Sequence, residues 1–334
     1  MTTEIKDLEK LVLVNLDIDI WSGQAKLQAS DLKRISVEDL PPESLASLGS
    51  KRLCSKEHLR VFSTLKTRAV RAVLDFGEPF LGGYAYPASR IRDLESQLAG
   101  IELEYQAEKT KFLNIYDRAV GDWISENPDY ADAIRAGALS REEVSERLNF
   151  GFQIINVSPT QSTDAQDRLK KSVRGVGDAL VDEIVKKANE FFEKRLVGNE
   201  QVSTQTQTTL RNMRDKVSGM AFLNGNLVIM EQLLNEMLKG YESHRGSKHV
   251  TGEDYNRILA ATLILSDRNK LERCASGDLS LEGLLESMSQ RNEEEKEPEA
   301  EESGDDAQAD NEPPEQGTQA APAADSEEED DYFF

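Results

Sequence analysis

Between Pro87 and Ser125 the positions Ile91, Leu94, Leu98, Ile101, Tyr105, Phe112, Ile115 and Ala119 recur three and four residues apart, and only Glu108 interrupts the seam. A near-heptad pattern sustained this far predicts one long helix packed along another. At 1.5 Å per residue it would extend roughly 55–60 Å. The spacing returns at Leu169, Val173, Val176, Leu180, Ile184, Ala188 and Phe191, predicting a second long helix over about 162–197. That helix, or a second copy of the chain, is the expected cover for the 91–119 seam, so a homo-oligomer through this seam stays open.

A different period governs Leu11 to Trp21. Val12, Val14, Leu16, Ile18 and Ile20 alternate with Asn15, Asp17 and Asp19, which predicts a half-buried strand with a solvated polar face, read as an edge strand. Phe150 to Val157 predicts a second strand, closed by Ser158-Pro159. From Ser55, the stripe Leu59, Phe62, Leu65, Ala69, Val73 and Phe76 predicts an amphipathic helix ended by Gly77 and Pro79. Gly82-Gly83 within Phe80–Pro87 predicts a tight turn. Asn127-Pro128 stops the long helix, and Ser140-x-x-Glu143 is a capping box. Shorter helices are expected at about 209–223, 228–238, 253–265 (capped by Thr251) and 280–288.

These elements predict a mainly α protein: long antiparallel coiled-coil-like helices with a small β-sheet, plus a disordered acidic C-terminal tail. Four segments follow. Residues 1–86 hold the first strand and the amphipathic helix; 87–158 hold the long heptad helix, a short helix and the second strand. Residues 159–290 are helical, and 291–334 form the tail.

Charge sharpens the last boundary. The formal net charge is −22, but residues 293–334 contribute eighteen acidic side chains against Lys296 alone. The body is therefore nearly balanced, and the tail is too polar to offset its ordering entropy by burial. Its end differs: Asp330 and Asp331 precede Tyr332, Phe333 and Phe334, the tail's only aromatic residues. Apolar rings beside carboxylates suit docking into a basic pocket. This tip is similar to the acidic, Phe-ending tips of single-stranded-DNA-binding proteins, though it lacks their usual Pro-Phe ending.

The positive charge is concentrated in Lys51, Arg52, Lys56, Arg60, Lys66, Arg68 and Arg71, opposed between them only by Glu57. This is a candidate anion-binding face for nucleic acid or an acidic peptide, or else a solvated helix face. The nucleic-acid reading requires Arg60, Lys66 and Arg71 to share an exposed face with few carboxylates.

No catalytic or metal site is expected, and no cofactor. There is no Walker lysine motif, nucleophile elbow or His-Glu-x-x-His. Asp17 and Asp19 are two apart without a third ligand nearby; Cys54 and His58 are four apart without further ligands. Gly175-x-Gly177 within a helical pattern reads as close packing or a break. Two unpaired cysteines, a charged N-terminus and no apolar run long enough to span a bilayer predict a cytoplasmic protein with no membrane association.

The segments Leu11–Gly23, Asp39–Lys51, Phe80–Ala85, Phe150–Gln153 and Met213–Leu223 together resemble an uncharacterised family of bacterial, phage and integrative-element proteins, over nearly all of residues 10–270. Its members are often encoded beside a MoxR-like AAA+ ATPase resembling the cobalt-chelatase subunit, and beside a von Willebrand factor A-type protein. The resemblance implies association with an ATPase-driven assembly of a mobile element, and the reading adopted on it is a non-enzymatic adaptor that acts with those two partners. The alternative is a DNA replication or recombination accessory factor, with the basic helix on nucleic acid and the tip recruiting enzymes.

Overall fold

The computed structural model describes residues 8–32, 45–158 and 162–294, without the side chains of 291–294. In chain order the strands are β1 (Leu11–Asp19), β2 (Gln24–Lys26), β3 (Ser50–Arg52), β4 (Glu78–Phe80), β5 (Gly83–Pro87), β6 (Asn149–Ile155), β7 (Val202–Ser203) and β8 (His249–Val250). The helices are α1 (Glu57–Leu74), α2 (Ile91–Glu126), α3 (Ala131–Gly137), α4 (Arg141–Glu146) and α5 (Thr163–Phe191). They continue as α6 (Gln207–Met220), α7 (Gly225–Glu242), α8 (Gly252–Leu265), α9 (Arg268–Ser276) and α10 (Leu281–Glu294). The mainly α class with a small antiparallel sheet is as the periodicities predict. The chain divides into Met1–Ser289 and Gln290–Phe334. The expected disordered tail and its aromatic tip lie outside the described residues, apart from the last residues of α10.

β1 is not the edge strand that its alternation suggested. It is central in a four-stranded antiparallel sheet of order β4-β5-β1-β6, pairing Val12 with Tyr86 and Ile18 with Phe150. Because side chains alternate across a strand, its two faces enter two different cores. Val12, Val14 and Ile18 join Tyr86 and Phe150 in a core with α1, α2, α3 and α4. Leu11 joins Phe80, Ala85 and residues of α5 to α10 in the other, with Leu13 packed against it. Beyond Leu13 this second face turns polar, at Asn15, Asp17 and Asp19, as the sequence predicts.

The Phe80–Pro87 stretch is more than a turn. Leu81 (φ 48°) and Gly82 (φ 81°) make the positive-φ pair of a type I′ turn, and β4 and β5 form its hairpin. Gly83 pairs with Phe80 inside the sheet, where a Cβ would meet the Val14 carbonyl oxygen at 2.6 Å. Pro87 ends β5, and α2 begins four residues later.

α2 runs for 36 residues, about 54 Å. Its seam is covered in cis, but not by the 169–191 helix. The cover comes from α1, α3, α4 and β6, while α5 belongs to the other core. Helices α1 and α2 are antiparallel: His58 near the start of α1 lies 6.4 Å from Phe112 between ring centroids, and ten residues later Arg68 pairs with Glu104, eight residues earlier on α2. Ile115 is the exposed exception in the seam, at 41%.

Local signals fare unevenly. The Ser140–Glu143 capping box is formed, with each side chain accepting from the other's backbone N–H at 3.2 and 2.8 Å. Thr251 precedes α8 but its side chain makes no cap hydrogen bond. Gly177 is a close-packing position, whose added Cβ would lie 3.1 Å from Leu223 Cβ; Gly175 faces open space.

A left-handed conformation is costly for Leu because its Cβ crowds the backbone. We expect Leu81→Asn, which supplies the Asn-Gly pair favoured in type I′ turns, to stabilise the protein by about 0.5–1 kcal/mol. Chemical denaturation checks this; an unchanged or lowered stability refutes the strain assignment.

Candidate functional site

The basic positions of α1 and the preceding strand do not form one face. Lys51, on β3, is drawn inward to the buried Asp31 at 2.7 Å. Asp31 also accepts from the Gln28 backbone N–H, and these bonds outweigh burial and hold its carboxyl below the usual range. Lys66 donates to the carbonyl oxygen of Ile18 at 2.9 Å, tying α1 to the end of β1. Arg68 leaves the opposite flank of the helix and forks onto Glu104 of α2. Arg52 is exposed, and its carbonyl accepts from Trp123 Nε1 at 3.1 Å.

Four cations, Arg52, Lys56, Arg60 and Arg71, are left outward. Arg60 and Arg71 share a stripe with Thr64 and Thr67, and all four are exposed. The two arginines are eleven residues apart on it, about 16 Å along the axis. Arg71 sits in a concavity with Arg68, Asp75 and Glu104, so carboxylates accompany it. Lys66 is not with them.

Arg60 and Lys56 belong instead to a groove of about 460 Å³, where the chain leaving β1 meets the start of α1. Ile20, Trp21 and Leu59 give it an apolar lining; Ser22, Lys56, Glu57, Arg60 and Ser63 complete it. Gly23 makes the close approach feasible: its φ is +68°, and a Cβ there would lie 2.7 Å from Leu59 Cδ1. Behind the groove Trp21 stacks edge-on with Tyr116 and lies beside Phe112. Lys56 and Arg60 make no ion pair among the described residues. A cationic rim on an apolar groove can hold an acidic segment that also carries apolar side chains.

A buried cluster of charges lies elsewhere, between the sheet and the second core. Glu78 on β4 shares the face of Phe80 and Ala85, and approaches Lys216 of α6 and Glu183 of α5. Lys216 Nζ lies 2.8 Å from Glu183 Oε2 and 2.8 Å from Glu78 Oε1, the latter without hydrogen-bond alignment. Glu78 and Lys216 are buried and Glu183 half-buried. Burial, reinforced by the hydrogen bond with Glu183, pushes the Glu78 carboxyl up to about 7. Burial also opposes charge on Glu183, but the hydrogen bonds from Glu78, Lys187 and Lys216 win and hold it down at about 2. The pair therefore shares one proton beside one ammonium. No described groove reaches it. Spacing alone does not announce it, although its two helical members sit within apolar seams: Glu183 between Leu180 and Ile184, Lys216 between Met213 and Val217.

The remaining candidates are structural in their contacts. Cys54 is buried, which pushes its thiol up to about 11, and His58 lies against the Phe112 ring. Asp17 accepts from Asn149 Nδ2 at 3.2 Å. Ser243, His244 and Asp254 come together, but Ser243 Oγ and Asp254 Oδ2 both approach His244 Nδ1, at 3.3 and 3.4 Å. Nε2 faces the Thr251 backbone N–H, so the imidazole cannot relay a proton from serine to aspartate. No group of three or more His, Cys, Asp or Glu among the described residues is placed to hold a metal, and no described helix is long and apolar enough to cross a membrane. The tip residues Asp330, Asp331, Tyr332, Phe333 and Phe334 lie outside the described residues.

A family model described as "Protein of unknown function (DUF3150)" matches residues 8–267, and the chain belongs to that family. No curated protein and no solved structure matches it.

Two predictions follow from the triad. The folded Glu78 holds its proton up to about pH 7, against an ordinary value of 4.5. Its contribution to stability is therefore present below 4.5 and is lost as pH rises through 7. Glu183 has the opposite sign, losing its contribution as pH falls from 4.5 towards 2. The urea midpoint should fall between pH 5 and pH 8, and Glu78→Gln should flatten that fall; an equal fall in the variant refutes the shared proton. Lys216→Met leaves a buried carboxylate unpaired and should cost about 3–5 kcal/mol in urea unfolding at neutral pH. A loss below 1 kcal/mol would contradict the arrangement.

Proposed function

We propose that this member of the DUF3150 family is a non-enzymatic interaction protein: a helical adaptor of a phage or mobile genetic element, working with a MoxR-type AAA+ ATPase and a von Willebrand factor A-type partner. The observation that supports this reading is the open groove at the start of α1, apolar at Ile20, Trp21 and Leu59 and cationic at Lys56 and Arg60. Such a surface binds a peptide by combining buried apolar contact with charge pairing. The tip residues Asp330 to Phe334 offer the complementary chemistry, acidic and aromatic, to partners of the chain. In this reading α2, about 54 Å long and anchored along its length by α1, α3 and α4, is the rigid support that carries the groove.

The test is affinity capture from cells holding the chain's natural gene neighbourhood, with the full chain and with one lacking residues 325–334. The expected result is capture of the ATPase and the von Willebrand factor A-type protein by the full chain, lost when the tip is removed. Recovery of recombination proteins through a nuclease-sensitive link, with neither expected partner, overturns the adaptor reading and favours the DNA accessory alternative.

A further inference from the structure

Groove and tip are complementary to each other. The groove's volume, about 460 Å³, falls in the roughly 300–1,000 Å³ range of sites that enclose a compact ligand. Its rim holds Lys56 and Arg60 against Glu57, an excess of positive charge. The N-terminus of α1, an 18-residue helix, opens at the same place and adds its partial positive charge. In the wall, Trp21 is 2% exposed and its Nε1 has no acceptor among the described residues, whereas a buried indole N–H ordinarily finds one. The surface thus favours an occupant with both apolar bulk and hydrogen-bond-accepting negative charge.

One stretch of this chain has that composition. Asp325, Glu327, Glu328, Glu329, Asp330 and Asp331 lead into Tyr332, Phe333 and Phe334. The rest of residues 293–334 is also acidic, though less densely, and contains no aromatic side chain, so it could meet the rim and not fill the wall.

We propose that the groove lined by Trp21, Leu59, Lys56 and Arg60 binds the acidic-aromatic tip, Asp325–Phe334, of a second copy of this chain. Every copy brings one groove and one tip, so the contact is heterologous: copies join head to tail and either extend or close into a ring. The proposal rests on the tip being a docking element, as under Proposed function, and adds a regulation. A tip held in a neighbour's groove is withheld from the ATPase, so self-association and partner capture compete.

The experiment is sedimentation of the full chain in three forms: unaltered, Lys56→Glu/Arg60→Glu, and Tyr332→Ala/Phe333→Ala/Phe334→Ala. Lys56 and Arg60 are exposed, and unchanged circular-dichroism melting confirms that the groove variant folds. The unaltered chain should associate with rising concentration and do so less at high salt. Each variant alone should associate at least tenfold more weakly. An equimolar mixture of the two should form a one-to-one complex that grows no further, because one variant keeps its tip and the other its groove. Association that survives in either variant, or a mixture that stays monomeric, overturns the proposal. So does an unaltered chain that remains monomeric while its groove still binds a peptide of residues 325–334. Failure to capture the ATPase would overturn the adaptor reading and leave these sedimentation results unaffected, so the two failures are distinguishable.

Discussion

A strand buried on both faces tolerates no slip. In β1 the odd positions Leu11 and Leu13 face the core built with α5 to α10, and the even positions Val12, Val14 and Ile18 face the core built with α1 to α4. A shift of one residue would exchange the two sets and turn Asn15 towards the aromatic side of the sheet. Register is therefore set from both sides, by Tyr86 and Tyr84 across β5 and by Phe150 and Phe152 across β6. The same burial explains the ion triad. A charged residue on β4 that faces the second core must find a partner there, because an isolated carboxylate in an apolar interior is prohibitively unfavourable. Glu78 meets Glu183 and Lys216, and a shared proton reduces the charge that has to be buried.

The groove is a by-product of the same layout. Where β1 ends, Ile20 and Trp21 continue its apolar character towards the start of α1, and Gly23 turns the chain at positive φ close against Leu59. Basic side chains near this junction divide into two roles. Lys51, Lys66 and Arg68 are committed to Asp31, the Ile18 carbonyl and Glu104, holding β3, β1 and α2 in place. Lys56 and Arg60 stay outward at the groove. What looks along the chain like one patch of charge is partly internal scaffold and partly an outward cationic rim on an apolar groove.

That division marks how far the sequence could be read. Periodicity found the long helix, β1, β6 and most of the second helical layer, because each buries a continuous stripe. It misplaced β1 at an edge because the polar run Asn15, Asp17 and Asp19 describes only its far half; on the same face Leu11 is buried and Leu13 half-buried. It read Phe80–Pro87 as a turn alone, since β4 has just three residues, too few for alternation to register. The partner of the 91–119 seam was out of reach, as heptad spacing says that a seam is covered and not by which helix. For the candidate site, residue type placed Lys56 and Arg60 among seven basic positions but could not separate these outward side chains from Lys51, Lys66 and Arg68, which bond within the fold. Trp21 and Leu59, the groove's wall, looked like ordinary core. The triad is assembled from three separated elements, and nothing in their spacing announces it.

Amide hydrogen exchange of the chain lacking residues 325–334, with and without an added peptide of those residues, probes the groove without altering it and without competition from the chain's own tips. First-turn amides of a helix lack intrahelical partners and exchange rapidly unless covered, which makes the start of α1 a sensitive reporter. Recognition of the tip by this groove predicts slowed exchange confined to residues 20–22 and 56–63. Unchanged exchange there, or protection centred instead on Arg68 and Arg71, would contradict it.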